Sequence, residues 1–181
     1  MEGNELLKNR RSVRSFKNEA VREEVMQKIL QVAKFAPSWA NGQIVRYTII
    51  TNAELKNKIV EEGYLEFKGN SITLDKAAGL VVVSYVRNIS GCNGKGKPIT
   101  DKSVDEWSMF DAGIAAQQFC LAAYNEGIGT VMQGIFNQKI VSKIIDLPKD
   151  ETIAIVIPYG YFEVQQKATP RMEINEIARF K

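Results

Sequence analysis

Residues 105–134 read DEWSMFDAGIAAQQFCLAAYNEGIGTVMQG, and this stretch decides the fold. No charged residue falls between Asp111 and Glu126. A helix that is apolar nearly all round is either buried or shared with a partner chain, so the spacing predicts a buried central helix over about 105–126. Gly127 supplies its C-terminal stop, and a short strand is expected over 129–133. The uncharged run from Ala112 to Asn125 is shorter than the roughly 20 residues of a membrane span. It also contains Gln117, Gln118 and Asn125, so no membrane association is expected.

Outward from this helix, strands and helices alternate. Residues 79–86 (GLVVVSYV) and 152–161 (TIAIVIPYGY) are nearly continuous apolar runs, as strands covered on both faces are. Residues 46–51 (RYTIIT) are rich in β-formers and predict a third strand. Val25, Ile29, Val32, Ala33 and Ala36 recur at helical spacing, which predicts a helix over 22–35 ending before Pro37. Short helices are expected over 5–9, over 53–61 behind an Asn52 cap, and from Asn137 to about Ile145. Residues 88–101 (NISGCNGKGKPITD) predict a mobile loop, and 162–181 a polar tail. With 181 residues, no repeat and no internal linker, 1–181 is expected to be a single α+β domain with helices covering a sheet.

Composition narrows the chemistry. The net charge is +3, and no lysine- or arginine-rich run suggests a nucleic-acid binder, although a few arginines suffice for a localised anion such as a phosphate. The polar start, Met1 to Glu5, lacks the apolar core of a signal peptide, so the expected location is cytoplasmic. Cys92 and Cys120 are too few for a disulfide scaffold and lack metal-ligand spacing, so no metal site is expected. Cys120 is expected to be a buried small hydrophobe, and Cys92 an exposed thiol in a glycine-rich loop. Histidine is absent, which excludes Ser-His-Asp and Cys-His machinery and the commonest zinc sites. Difficult chemistry then falls to a cofactor.

Four segments offer ligand chemistry. Arg10-Arg11-Ser12-Val13-Arg14 places guanidinium forks beside a hydroxyl, a match for a phosphate monoester. Ala36 to Gln43 (APSWANGQ) offers Ser38, Asn41 and Gln43 to hydrogen-bond a planar heterocycle and Trp39 to stack on it. Gly127 to Gly134 (GIGTVMQG) holds glycines that let a ligand approach the backbone, without the strand-turn-helix setting of a Rossmann phosphate loop. Pro170-Arg171 adds one arginine in the tail. Singly, each also reads as something bland: a solvated basic turn, a loop with a gap-filling tryptophan, helix punctuation, a surface charge.

In combination and order, the four resemble the nitroreductase-like family of FMN-dependent oxidoreductases. Phe110-Asp111-Ala112-Gly113 through Gly127-Ile128-Gly129-Thr130 is similar to that family's central helix and following strand, and Pro158-Tyr159-Gly160-Tyr161 to its closing strand. The resemblance implies a mostly antiparallel central sheet flanked by helices, a long buried helix at the interface of a homodimer, and FMN held between the subunits. It gives Arg10, Ser12 and Arg14, with Arg11 adjacent and Arg171 joining from the tail, the ribityl and phosphate of FMN. Pro37, Ser38, Trp39, Asn41 and Gln43 would reach the other subunit's flavin. Asn70 would bond the isoalloxazine edge, Gln133 and the Gly134 N–H would lie beside flavin N5, and Met132 would join the cofactor-binding set. NADH or NADPH would give hydride to N5 and then leave for a nitroaromatic, quinone or similar acceptor, a ping-pong sequence. Dehalogenation, enone reduction, flavin breakdown and non-catalytic flavin binding or redox sensing stay open as alternatives. Ile44-Val45 departs from the Pro-Trp common among relatives, and the loop over 88–105 is left as the cover of the active site.

Overall fold

The centre of the fold is β2 (Gly79–Val86) in the computed structural model, which describes residues 2–64, 68–164 and 166–181. Seven of its eight residues are buried, because side chains alternate across a strand and both faces are covered. Val81 and Val83 join a cluster with Met26, Ile29, Ala116, Phe119 and Ile157. Leu80 and Val82 point the other way, against Ile59, Leu74, Val141 and Val156. β1 (Val45–Ile50) and β4 (Glu151–Tyr161) flank β2, and β3 (Ile128–Thr130) lies outside β4. The order is β1-β2-β4-β3, and every pairing is antiparallel.

Helices cover both faces, as the uninterrupted apolar strands require. α2 (Glu23–Ala33) and α5 (Val104–Asn125) line one face. α3 (Ala53–Gly63), α4 (Lys68–Lys76) and α6 (Gln138–Ile144) line the other. α5 starts in a reciprocal Ser103–Glu106 capping box and stops where Gly127 takes a left-handed φ of 75°. Its buried side is made of small residues, Ala112, Ala115, Ala116, Ala122 and Ala123, together with Phe119. Met109, Phe110, Gly113 and Gln117 form an exposed stripe on the opposite side. Among the described residues, no helix is long and apolar enough to cross a membrane.

Several expectations need correction. β3 is shorter than 129–133: Val131 N–H bonds Pro158 O, but Pro158 has no N–H to return, and the ladder resumes only at Gln133. α4 was not expected, because KGNSITLDK is poor in helix formers; burial of Thr73 and Leu74 decides it. Segment 88–101 is closed on itself, with Cys92 bridged to Pro98 and Ile99 N–H on Gly91 O at 3.0 Å. Cys92 is therefore buried, not an exposed thiol. The tail carries a short helix, α7 (Ile174–Ile177), and α1 (Gly3–Asn9) leads into the basic segment.

Candidate functional site

The basic segment lies along the edge of the sheet. Ser12 forms a parallel bridge with Thr130, and Val13 N–H donates to Thr130 O at 2.9 Å. Val13 is buried, Arg10, Arg11 and Ser12 are half-buried, and Arg14 is exposed. The glycine behind this contact is Gly129. A Cβ there would fall 2.8 Å from Val13 Cβ and Cγ2, so Gly129 admits the chain's own segment, where the sequence suggested a ligand. Arg11 Nη1 donates to Lys8 O at 2.6 Å and Arg10 O at 2.8 Å, which shapes the turn. Burial pushes the Cys120 thiol up, while the nearby Arg10 charge pulls the other way.

Beyond β3 the chain opens. Gln133 exchanges both backbone hydrogen bonds with Val156, at 2.8 and 3.2 Å, and is buried, whereas Met132 and Gly134 are exposed. A Cβ on Gly134 would meet only Ile155 Cδ1, at 3.6 Å, so packing within the chain does not demand glycine there. Gln133 Oε1 and Arg11 Nε are buried without a hydrogen-bond partner among the described residues. Such groups are costly unless something satisfies them.

The second loop sits elsewhere. Ala40, Asn41 and Gln43 all adopt left-handed φ, at 45°, 55° and 47°, a cluster of strain of the kind found at ligand clamps. Ser38 Oγ accepts from Gln43 N–H at 2.9 Å. The Trp39 ring packs on Trp107, with centroids 4.7 Å apart. Trp39 N–H lies 3.1 Å from each carboxylate oxygen of Asp111. Ser38, Gln43, Asp111 and Tyr47 line one cleft together with Pro37. Tyr47 OH donates to Ala115 O at 3.2 Å, and burial pushes its pKa up to about 12. Asp111 received no role from the sequence; the signal available was a lone carboxylate in an otherwise uncharged helical run.

The candidates thus fall into two groups. Ser12 pairs with Thr130, so Arg10 and Arg11 lie alongside β3, with Arg10 near Cys120 on α5. The 36–43 loop hangs on Asp111, nine residues earlier, which is about 14 Å along a helix. Asn70 is half-buried on α4, on the other side of the sheet. Arg171 is exposed in the tail and bonds locally to Thr169 and Pro170.

An antiparallel four-stranded sheet crossed by one long helix, with a basic segment along its edge strand, defines an α+β protein of the nitroreductase fold. A family model described as "Nitroreductase family" matches residues 7–68 and 64–161. The chain belongs to the nitroreductase family. It is 27% identical over 161 residues to a candidate NADH dehydrogenase/NAD(P)H nitroreductase of Methanothermobacter thermautotrophicus, covering 87% of this chain and 75% of that one. It is 26% identical over 195 residues to iodotyrosine deiodinase 1 of Sus scrofa, covering 96% of this chain and 66% of that one. Among solved structures, a protein of Exiguobacterium sibiricum in complex with FMN superposes with a TM-score of 0.84 at 20% identity, covering 100% of this chain and 98% of that one.

Proposed function

We propose that residues 1–181 form one FMN-binding domain of a cytoplasmic homodimer, an oxidoreductase that passes electrons from NADH or NADPH to nitroaromatic, quinone or similar electrophilic acceptors in ping-pong fashion. The observation that carries this reading is the buried, unpartnered Gln133 Oε1 next to an open Gly134, with a second such atom, Arg11 Nε, in the basic segment along β3. They are groups prepared for a ligand that the chain itself does not supply.

FMN, when bound, supplies hydride acceptance and release. The chain's part is to bind and orient. Arg10, Ser12, Arg14 and Arg171, with Arg11 adjacent, hold the phosphate and ribityl through charge-assisted hydrogen bonds. Gln133 and the Gly134 N–H would border the flavin edge near N5 with Met132 adjacent, and Asn70, from α4 on the other face of the sheet, would contact the ring edge. Pro37, Ser38, Trp39, Asn41 and Gln43 reach the flavin of the partner subunit. Cations and N–H donors held beforehand stabilise negative charge where it develops, so no side-chain base is required of a chain without histidine.

The test is an absorbance spectrum of the purified protein followed by anaerobic titration with each nicotinamide. The expected protein is yellow and bleaches; a colourless protein indifferent to added FMN would sink the reading. A second reading, reductive dehalogenation, is favoured by the resemblance to iodotyrosine deiodinase 1, and turnover of a halotyrosine in preference to a nitroaromatic or quinone selects it.

A further inference from the structure

Asp111 is 2% exposed, yet its carboxylate is held by neutral donors from two different loops. Trp39 N–H bonds both oxygens at 3.1 Å, and Ser90 Oγ donates to Oδ2 at 2.5 Å. A buried carboxylate contributes little to stability that an apolar residue of the same size would not, so its use here points to placement. A second tie runs in parallel. Trp107, one turn earlier on the same face of α5, packs against the Trp39 ring at 4.7 Å and donates its Nε1–H to Thr100 Oγ1 at 2.7 Å. Gly91, with φ 74°, makes room for Trp107: a Cβ there would lie 2.4 Å from its Cδ1. Segment 88–103 is therefore anchored to α5 at Ser90 and at Thr100. The 36–43 loop is anchored to the same two α5 residues, through the Trp39 backbone and the Trp39 ring.

We propose that Asp111 is a positioning residue. Through the Trp39 amide it fixes the 36–43 loop, and through Ser90 it makes the position of that loop depend on segment 88–103. The three left-handed residues Ala40, Asn41 and Gln43 follow Trp39 directly, and such conformations persist only where their surroundings over-determine them. The inference rests on the flavin reading for its catalytic meaning: segment 88–103 covers the acceptor side, and the 36–43 loop contacts flavin. A change on the acceptor side is then transmitted to the flavin through the Asp111 carboxylate, alongside the Thr100–Trp107–Trp39 contact.

The test uses the full-length protein and the variants Asp111→Asn, Ser90→Ala and the double variant. The first readout, amide hydrogen exchange, needs no flavin. Asp111→Asn is expected to speed exchange about tenfold in both 36–43 and 88–101. Ser90→Ala is expected to speed exchange in 36–43 as well, although its hydroxyl bonds Asp111 and not that loop. With FMN, Asp111→Asn raises the dissociation constant about tenfold and shifts the visible band. Ser90→Ala raises KM for benzoquinone more than it lowers kcat, and adds nothing to FMN affinity in the Asp111→Asn background. Unchanged exchange in 36–43 for Ser90→Ala overturns the proposal even where Asp111→Asn fails to fold. Wild-type protein that binds no FMN while the exchange coupling holds would overturn the flavin reading alone.

Discussion

One methyl group added at Gly129 and one at Gly134 separate what the fold needs from what the cofactor needs. At Gly129 the new Cβ falls 2.8 Å from two Val13 carbons and 2.9 Å from Phe162 Cδ1. All three neighbours belong to packed side chains, so something must shift. Overpacking of this kind costs about 1–3 kcal/mol, and about 2–4 °C of Tm per kcal/mol applies at this chain length. Gly129→Ala should therefore lower the apoprotein Tm by roughly 2–12 °C. It should also weaken FMN, because Val13 carries Ser12 and Arg14 on either side. At Gly134 the new Cβ meets one atom at an ordinary 3.6 Å, and a glycine replaced without strain gains about 0.4–1 kcal/mol from the unfolded chain. Gly134→Ala should thus leave Tm level or slightly higher, while the methyl group obstructs flavin approach and raises its dissociation constant at least about tenfold, or 1.4 kcal/mol. Thermal melts of the apoprotein and titration of flavin fluorescence read both quantities. A Gly134→Ala protein with unaltered FMN affinity and reduction potential would refute the placement of Gly134 beside the flavin. An unaltered Tm in Gly129→Ala would refute the packing argument.

Three further outcomes are expected. Arg14→Ala removes an exposed cation, so apoprotein stability should stay within about 0.5 kcal/mol, while FMN affinity falls about 10–100-fold with the loss of a charge-assisted phosphate contact; equal FMN affinity would remove Arg14 from the site. Gly113→Arg adds a side chain where a Cβ meets no atom within 4 Å, so the single chain tolerates it; sizing chromatography should show monomer, and a persisting dimer would move the interface off α5. Burial raises the pKa of Tyr47 and of Tyr159 to about 12, and that of Tyr64 further in the same direction. The folded state then holds protons that the unfolded chain releases near pH 10; stability is fully present below that pH and declines as pH rises toward 12. Tyrosinate absorbance and far-UV circular dichroism should change together across that window, and early tyrosinate formation in an intact fold would contradict the burial.

Periodicity made most of the architecture legible. The runs over 79–86 and 152–161 carry the pattern of strands covered on both faces, and the uncharged stretch after Asp111 that of a helix with apolar cover on most sides. What escaped was decided by tertiary contact. Lys68–Lys76 becomes a helix although Gly69, Asn70 and Thr73 argue against it, because Thr73 and Leu74 are taken into the core. Segment 88–101 looks flexible from its glycines, yet Asn93 Oδ1 accepts from the Lys95 and Lys97 amides and closes the turn that buries Cys92. In the proposed site, residue types with an evident ligand chemistry can be nominated from sequence, since arginine beside serine matches an anion. Asp111 was not, because its partners are a backbone amide 72 positions away and a hydroxyl 21 away, and neither separation leaves a local signature. Gly129 was read for the wrong neighbour for the same reason: Val13 approaches it from more than a hundred residues upstream.

The separation of the two candidate groups along α5 bears on the proposed dimer. The 36–43 loop hangs from Asp111 and the basic segment lies near Cys120, about 14 Å apart on one helix, too far for both to close on the same part of a ligand from within one chain. The point midway between them is flanked by Gly113 and Gln117, both on the exposed stripe. A two-fold axis there, relating α5 to an antiparallel copy of itself, would make a self-complementary contact. It would also set the Asp111 level of one helix opposite the Cys120 level of the other. The 36–43 loop of each chain then lies beside the basic segment and Gly134 of its partner. Under the proposed dimer, the small-residue helix, its exposed stripe and the split site have one geometric cause. The register is specific: a cysteine at position 117, about 1.5 residues from the axis, should crosslink to its copy, and one placed at position 125 should not.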